Sequence, residues 1–133
     1  TEASVDGAAH SGWRGTVANI AAQPVAAMQA LGAEASRIRA YIGPCISQAH
    51  FEVGPEVAAQ FDDRFVTVPS PGAKPHADLK AVLRAQLLSA GRAETHLDID
   101  PGCTVADNDR FFSYRAEAGR TGRMLGVIGL HEG

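Results

Sequence analysis

The sequence predicts an α+β protein, a mixed β-sheet core flanked by helices, in one domain. Strand-like alternations and helix-like periodicities are interspersed without the strict strand–helix order of a parallel α/β sheet. Apolar residues make up 45% of the 133, but 24 of them are alanine, so the larger apolar side chains suffice for one core. A chain of this length buries roughly two-thirds of its unfolded surface, which removes the need for a disulfide or metal staple. No internal repeat, linker or low-complexity tract divides it.

Val5 to Ala9 reads as the end of a buried strand running into His10, and Ser11-Gly12-Trp13-Arg14-Gly15 as a tight, glycine-flanked turn. Thr16 is suited to cap a helix, with Ile20, Ala27, Met28 and Leu31 following at helical spacing. Pro24 inside that pattern predicts a kink or two abutting helices, and Gly32 the stop. Arg37 to Gly43 alternates as a half-buried strand leading into Gly43-Pro44-Cys45-Ile46. After Phe51-Glu52-Val53-Gly54 a short helix begins at Pro55 and carries Val57, Ala58 and Phe61 on one face. Phe65 to Val68 reads as a strand, and Pro69 to Pro75 as a loop. Asp78 to Ala90 is the clearest helix, with Leu79, Val82, Leu83, Gln86 and Leu87 in period and Gly91 as stop. Leu97 and Ile99 mark another strand. Phe111 to Tyr114 is a short aromatic segment, Glu117 to Gly122 a turn, and Met124 to Leu130 a final strand.

Twelve basic against 15 acidic residues give a net charge of −3, which excludes a broadly basic nucleic-acid binder and an acidic disordered tail. No apolar run approaches the roughly 18 residues of a membrane span. The first nine residues lack the basic segment and apolar stretch of a secretion signal. Two well-separated cysteines, Cys45 and Cys103, make neither a disulfide framework nor a CxxC motif, so a reducing cytoplasm is the expected compartment.

Three stretches carry possible chemistry. In His10-Ser11-Gly12-Trp13-Arg14-Gly15, a histidine held at a strand end suits a metal ligand or general base. The glycines allow close approach of a ligand, and the following helix start, with Arg14 beside it, suits an anion. Spacing alone still favours the plainer reading, a strand-to-helix turn with a core Trp and a surface Arg. In Ile42-Gly43-Pro44-Cys45-Ile46, Cys45 is a candidate nucleophile if His10 or His50 assists it; a small buried thiol filling space is the commoner case. In Phe111-Phe112-Ser113-Tyr114-Arg115 and Gly119-Arg120-Thr121-Gly122-Arg123, aromatics can stack on a base or sugar while Arg meets phosphate. A hydrophobic anchor beside a solvated turn explains most of that segment equally well. His76, His96 and His131 show no metal spacing and read as surface residues.

His10-Ser11-Gly12-Trp13-Arg14-Gly15 resembles the HAGWRG signature of the laccase-domain family, once labelled polyphenol oxidases. Ile42-Gly43-Pro44-Cys45-Ile46 with Phe51-Glu52-Val53-Gly54 resembles that family's IGPCI…YEVG segment, with His50 a minor departure. Asp78-Leu79, Cys103-Thr104, Phe111-Phe112-Ser113-Tyr114-Arg115 and Gly122-Arg123 follow in the family's order, so the resemblance covers nearly all 133 residues. It implies a YfiH-like layered fold, of which residues 1–133 form the C-terminal half. It further implies a cytoplasmic enzyme that phosphorolyses adenosine, inosine, guanosine and methylthioadenosine and deaminates adenosine. The implied partners are purine nucleosides and phosphate, with neither nucleic acid nor membrane, and a homodimer as the assembly.

The resemblance also implies one metal, zinc with copper as the alternative, held by two His and one Cys. Of these ligands only His10 falls in this chain, and a catalytic zinc needs about three from protein. The chain by itself is therefore expected not to hold zinc tightly. On the residues' own chemistry Arg14 and Cys45 are the expected catalytic residues, Arg14 holding phosphate at the helix start, and Arg115 the expected substrate contact. Two other readings attach to the family: a copper-dependent polyphenol oxidase, and a cysteine hydrolase editing peptidoglycan precursors.

Overall fold

The computed structural model describes residues 5–91 and 96–129. It has the α+β character expected, with helices set among small two-stranded sheets. Two compact units share the chain. The described residues of Thr1–Ile42, Leu83–Asp98 and Leu125–Gly133 form the first, and Gly43–Val82 with Ile99–Met124 the second.

In the first unit, helix α1 spans Trp13–Val17 and α2 spans Ala22–Ala30. Two abutting helices thus replace one, as the proline predicts, although the break falls at residues 18–21, where Asn19 takes a left-handed φ of 59°. Pro24 stands in the first turn of α2, where its missing N–H costs nothing. Gly32 stops α2 in a Schellman arrangement: at φ 101°, its N–H donates to Gln29 O, and Ala33 N–H to Met28 O. The expected cap is displaced. Gly12 precedes α1, and Thr16 lies within the helix, fully buried, its hydroxyl donating to Gly12 O at 2.7 Å. That hydrogen is committed, so the Ser11 hydroxyl donates to Thr16 Oγ1 at 2.8 Å. Gln86 Nε2 donates to Thr16 O at 2.6 Å, tying the turn to helix α4 (Leu79–Ser89), while Gln86 Oε1 is buried without a partner. Ala21, Val25, Ile42 and Leu87 supply the unit's buried apolar positions.

Strand β1 (Ala40–Ile42) pairs with β4 (Leu97–Ile99). It is shorter than the Arg37–Gly43 alternation predicts because Ala35–Arg37 close a 3-10 turn first. Two expected strands do not form. Residues 5–9 have no ladder, nor do 124–129, where Leu125 is 88% and Val127 82% exposed. Alternation creates a strand only where a neighbour accepts its hydrogen bonds, and neither segment has one among the described residues. Leu130, the end of the predicted last strand, lies outside the described residues.

The second unit holds helix α3 (Pro55–Ala58), starting at its proline as read, and β2 (Val66–Thr67) antiparallel to β3 (His76–Ala77). The Phe65–Val68 expectation contracts to two residues because Asp63–Phe65 turn as a 3-10 helix capped by the Asp62 carboxylate. Glu52 bridges His76 on the other edge of β3, with Val53 N–H donating to Pro75 O at 2.9 Å. Phe51, Val53, Phe61, Ala77, Leu79 and Val82 form the buried apolar set. Asp78 caps α4 by accepting from Ala81 N–H at 3.0 Å.

Candidate functional site

In the first unit, the segment carrying His10 is irregular and exposed, so the histidine is not held by a strand as expected. Gly12 has φ −74° and ψ −177°, ordinary extended backbone, so no left-handed turn demands a glycine there. The anion seat also shrinks: α1 has five residues, too few for a helix dipole to build up. Arg14 is exposed, with its guanidinium stacked 4.7 Å over the Trp13 ring. Stacking occupies one flat face and leaves the edge N–H groups of this exposed side chain able to grip an oxyanion in pairs.

In the second unit, Cys45 and Cys103 are partners in an isolated parallel β-bridge. Their surroundings differ sharply. Cys45 is half-buried, its thiol donating to Ile46 O at a long 3.6 Å. Burial pushes its pKa up, the Lys80 ammonium pulls the other way, and the Cys103 and Asp78 charges add to the rise. Cys103 is 5% exposed. Its Sγ accepts from the Ser47 hydroxyl at 3.1 Å, Ser47 N–H at 3.3 Å and Ala106 N–H at 3.4 Å. Burial is the largest single influence and opposes ionisation. Against it, donation from Ala106 N–H, the Ser47 hydroxyl, Ser47 N–H and Val105 N–H together bring the thiol from 9.0 to about 7.

His50, one of the two bases the sequence offers to Cys45, lies on Cys103 instead, with Nδ1 3.8 Å from Sγ and 3.3 Å from Ser47 Oγ. Since the single Ser47 hydrogen goes to sulfur, Nδ1 must carry its own hydrogen to bond Oγ. The cysteine is held from both sides of its backbone: Cys103 N–H donates to Asp107 Oδ2 at 2.9 Å, and Asp107 N–H to Cys103 O at 2.8 Å. Lys80 Nζ fixes the preceding turn by donating to Asp100 O at 2.6 Å and Gly102 O at 2.7 Å. A side chain on Gly102 would meet Asp100 Oδ1 at 2.8 Å and the Phe111 ring at 2.9 Å, so only glycine fits. In the sequence Cys103 falls in a family motif, and no local pattern gives it a role. The nearest local signal was Ser47-x-x-His50, which has no meaning until the fold carries it beside residue 103.

Arg115, the expected substrate contact, is exposed and donates from Nη1 to Glu52 O at 3.0 Å, with its carbon 5.4 Å over the Phe51 ring. Its remaining N–H groups stay on the surface beside exposed Tyr114. The histidines read as surface residues are more constrained than that. His76 Nδ1 donates to Gln48 O at 2.8 Å and His96 Nδ1 to Ser36 O at 3.0 Å, so both fasten backbone. His131 lies outside the described residues.

The expected metal finds an incomplete donor set. Among the described residues no group of three or more His, Cys, Asp or Glu is arranged to hold an ion, and His10 brings one imidazole. These residues by themselves do not fit a closed or catalytic zinc site. Among the described residues no helix is long and apolar enough to cross a membrane.

Residues 1–131 match the family described as multi-copper polyphenol oxidoreductase laccase. A purine nucleoside phosphorylase of Deinococcus radiodurans is 46% identical over 132 residues, covering 97% of this chain and 50% of that one. The adenosine deaminase RL5 of an unknown prokaryotic organism is 38% identical over 132 residues, covering 94% of this chain and 50% of its own. Among solved structures, YfiH of Bacillus licheniformis superposes with TM-score 0.78 at 30% identity, over 86% of this chain and 45% of that one. YlmD of Geobacillus stearothermophilus gives 0.77 at 32%, with the same coverage. The chain spans about half the length of the curated relatives it matches.

Proposed function

The chain belongs to the multi-copper polyphenol oxidoreductase laccase family, and from that premise we propose that it serves purine nucleoside phosphorolysis together with adenosine deamination. The observation that carries this is the 46% identity to a phosphorylase across 132 residues, which includes the His10–Gly15 segment. Adenosine, inosine, guanosine and methylthioadenosine are the proposed nucleosides, and the cytoplasm the proposed compartment.

The roles assigned to this chain's residues are binding and positioning. Arg14, backed by Trp13, is the phosphate grip: an edge-on guanidinium aligns the nucleophile and neutralises part of its charge as the base departs from the sugar. Arg115 is the proposed contact to substrate, fixed at its base by Glu52 O so that only its outer N–H groups reach outward. His10 is the one metal ligand proposed for this chain, for zinc or alternatively copper. No step is assigned to that metal, because its donor set is incomplete among the described residues. Cys45 is proposed as a catalytic residue in the form of a neutral thiol, since burial keeps its proton on.

Incubating the protein that carries this chain, at its full encoded length, with adenosine, with and without phosphate, and separating the products tests the reading; residues 1–133 by themselves are expected to be inactive. Inosine is expected in both samples and adenine only with phosphate. Absence of turnover of every purine nucleoside at micromolar enzyme overturns it. The family's description favours one second reading, copper-dependent phenol oxidation. Oxygen uptake with a phenol, in step with bound copper, would put that reading first.

A further inference from the structure

As partners in a parallel β-bridge, Cys45 and Cys103 sit on adjacent backbones and project from the same face of the pair, and Thr104 N–H donates to Cys45 O at 3.3 Å. Bridged strands lie about 4.8 Å apart. A disulfide spans Cα atoms roughly 4.4–6.8 Å apart, so bridged residues lie within its reach. Both cysteines are free thiols.

The pair is asymmetric in the way a dithiol couple requires. Cys103 has three hydrogen-bond donors on its sulfur and an imidazole within 3.8 Å. Cys45 has a single long contact, in which it is itself the donor. One sulfur is thus prepared as the attacking thiolate, and the other waits beside it with its proton. We propose that Cys45 and Cys103 are a redox couple, in which a hydroperoxide oxidises Cys103 and Cys45 resolves the product into a Cys45–Cys103 disulfide.

The steps balance. A sulfur lone pair of Cys103 attacks the outer oxygen of the hydroperoxide, and the O–O bond breaks. The leaving alkoxide or hydroxide takes up from water the proton that the Cys103 thiol released on ionising, and Cys103 becomes a sulfenic acid. Cys45 sulfur then attacks Cys103 sulfur, and the S–O bond breaks. The departing hydroxide takes the Cys45 proton and leaves as water. One hydroperoxide is reduced by two electrons, and two thiols become one disulfide. Because Cys103 is only 5% exposed, the oxidant is a small hydroperoxide. A bulky disulfide such as oxidised glutathione cannot align in-line with the sulfur.

Treating the full chain with hydrogen peroxide, blocking remaining thiols and mapping peptides without reductant tests this. The expected product is one intramolecular Cys45–Cys103 link, reversed by reductant and not formed by oxidised glutathione. In Cys45→Ser the reaction should halt at a sulfenic acid on residue 103, trapped by a 1,3-diketone. In Cys103→Ser, Cys45 should stay reduced at the same peroxide dose. Both thiols remaining free in the folded wild-type chain, at peroxide exposures that oxidise a control cysteine peptide, overturns the proposal. So does sulfenic acid appearing first on Cys45, or linkage only between chains. The wild-type result does not depend on either variant folding.

Discussion

Removing the Ser47 hydroxyl isolates one of the donors that acidify Cys103. The thiol falls from 9.0 to about 7 in the fold. At roughly 1.4 kcal/mol per pH unit this is a preference of about 3 kcal/mol for the thiolate. Burial works against ionisation, so the donors together supply more than that net amount. A hydrogen bond to a charged group contributes about 1.5–3 kcal/mol, and water recovers part of it when one donor is deleted. Ser47→Ala keeps the Ser47 N–H contact at 3.3 Å and loses only the hydroxyl contact at 3.1 Å. The midpoint should therefore rise by about one pH unit, which at neutral pH lowers the thiolate fraction about fivefold. The assay is the pH dependence of iodoacetamide modification at Cys103, read by peptide mass, with circular dichroism to confirm that both proteins are folded. Wild-type midpoints near 9, or identical midpoints in the two proteins, would refute the reasoning.

Arg14→Ala should slow phosphorolysis by about ten- to a hundredfold while changing deamination less, the loss of a charge-assisted contact to phosphate; equal losses would place Arg14 in the fold instead. Thr16→Val keeps the shape but leaves Gly12 O and the Ser11 hydroxyl without their partner. Urea unfolding should show a loss of about 1–2 kcal/mol, and no loss would contradict the buried network. Cys103 also predicts a pH-dependent stability. Its folded value of about 7 lies below 9.0, so its contribution is complete above the higher value and disappears as pH falls through the lower. The melting-temperature advantage of wild type over Cys103→Ser should widen between about pH 6 and about pH 9, whereas a constant gap would mean the thiolate does not form.

What was legible in the sequence is what a few neighbouring residues decide. Pro55, Gly32 and Gly91 punctuate helices through their own backbones, and the Asp78–Ala90 pattern carries its cap, apolar stripe and stop within one stretch. Strands are less legible because their partners lie elsewhere: the Arg37–Gly43 alternation yields three strand residues, and 124–129 none. The site divides the same way. Arg14 and Cys45 stood out as residue types beside glycines, yet the stacking of Arg14 on Trp13 and the shift of His50 to the other cysteine are tertiary facts. Cys103 draws two of its donors from Ser47, 56 residues earlier, a separation at which no local pattern carries information.

Cys103 is acidified by neutral groups. Nothing that lowers its pKa is a full charge; the causes are the backbone amides of Ala106, Ser47 and Val105 and the Ser47 hydroxyl, with Ser47 and Ala106 in hydrogen-bond contact with the sulfur. Dissolved ions screen interactions between separated charges over about 8–10 Å at ordinary ionic strength, but they cannot enter between atoms already touching. The reactivity of Cys103 is accordingly decoupled from the saltiness of its surroundings. Cys45, whose pKa the Lys80 ammonium pulls down against its burial, retains a sensitivity to salt that its neighbour lacks. Between dilute and concentrated buffers the difference in acidity between these adjacent thiols is tunable from one side only.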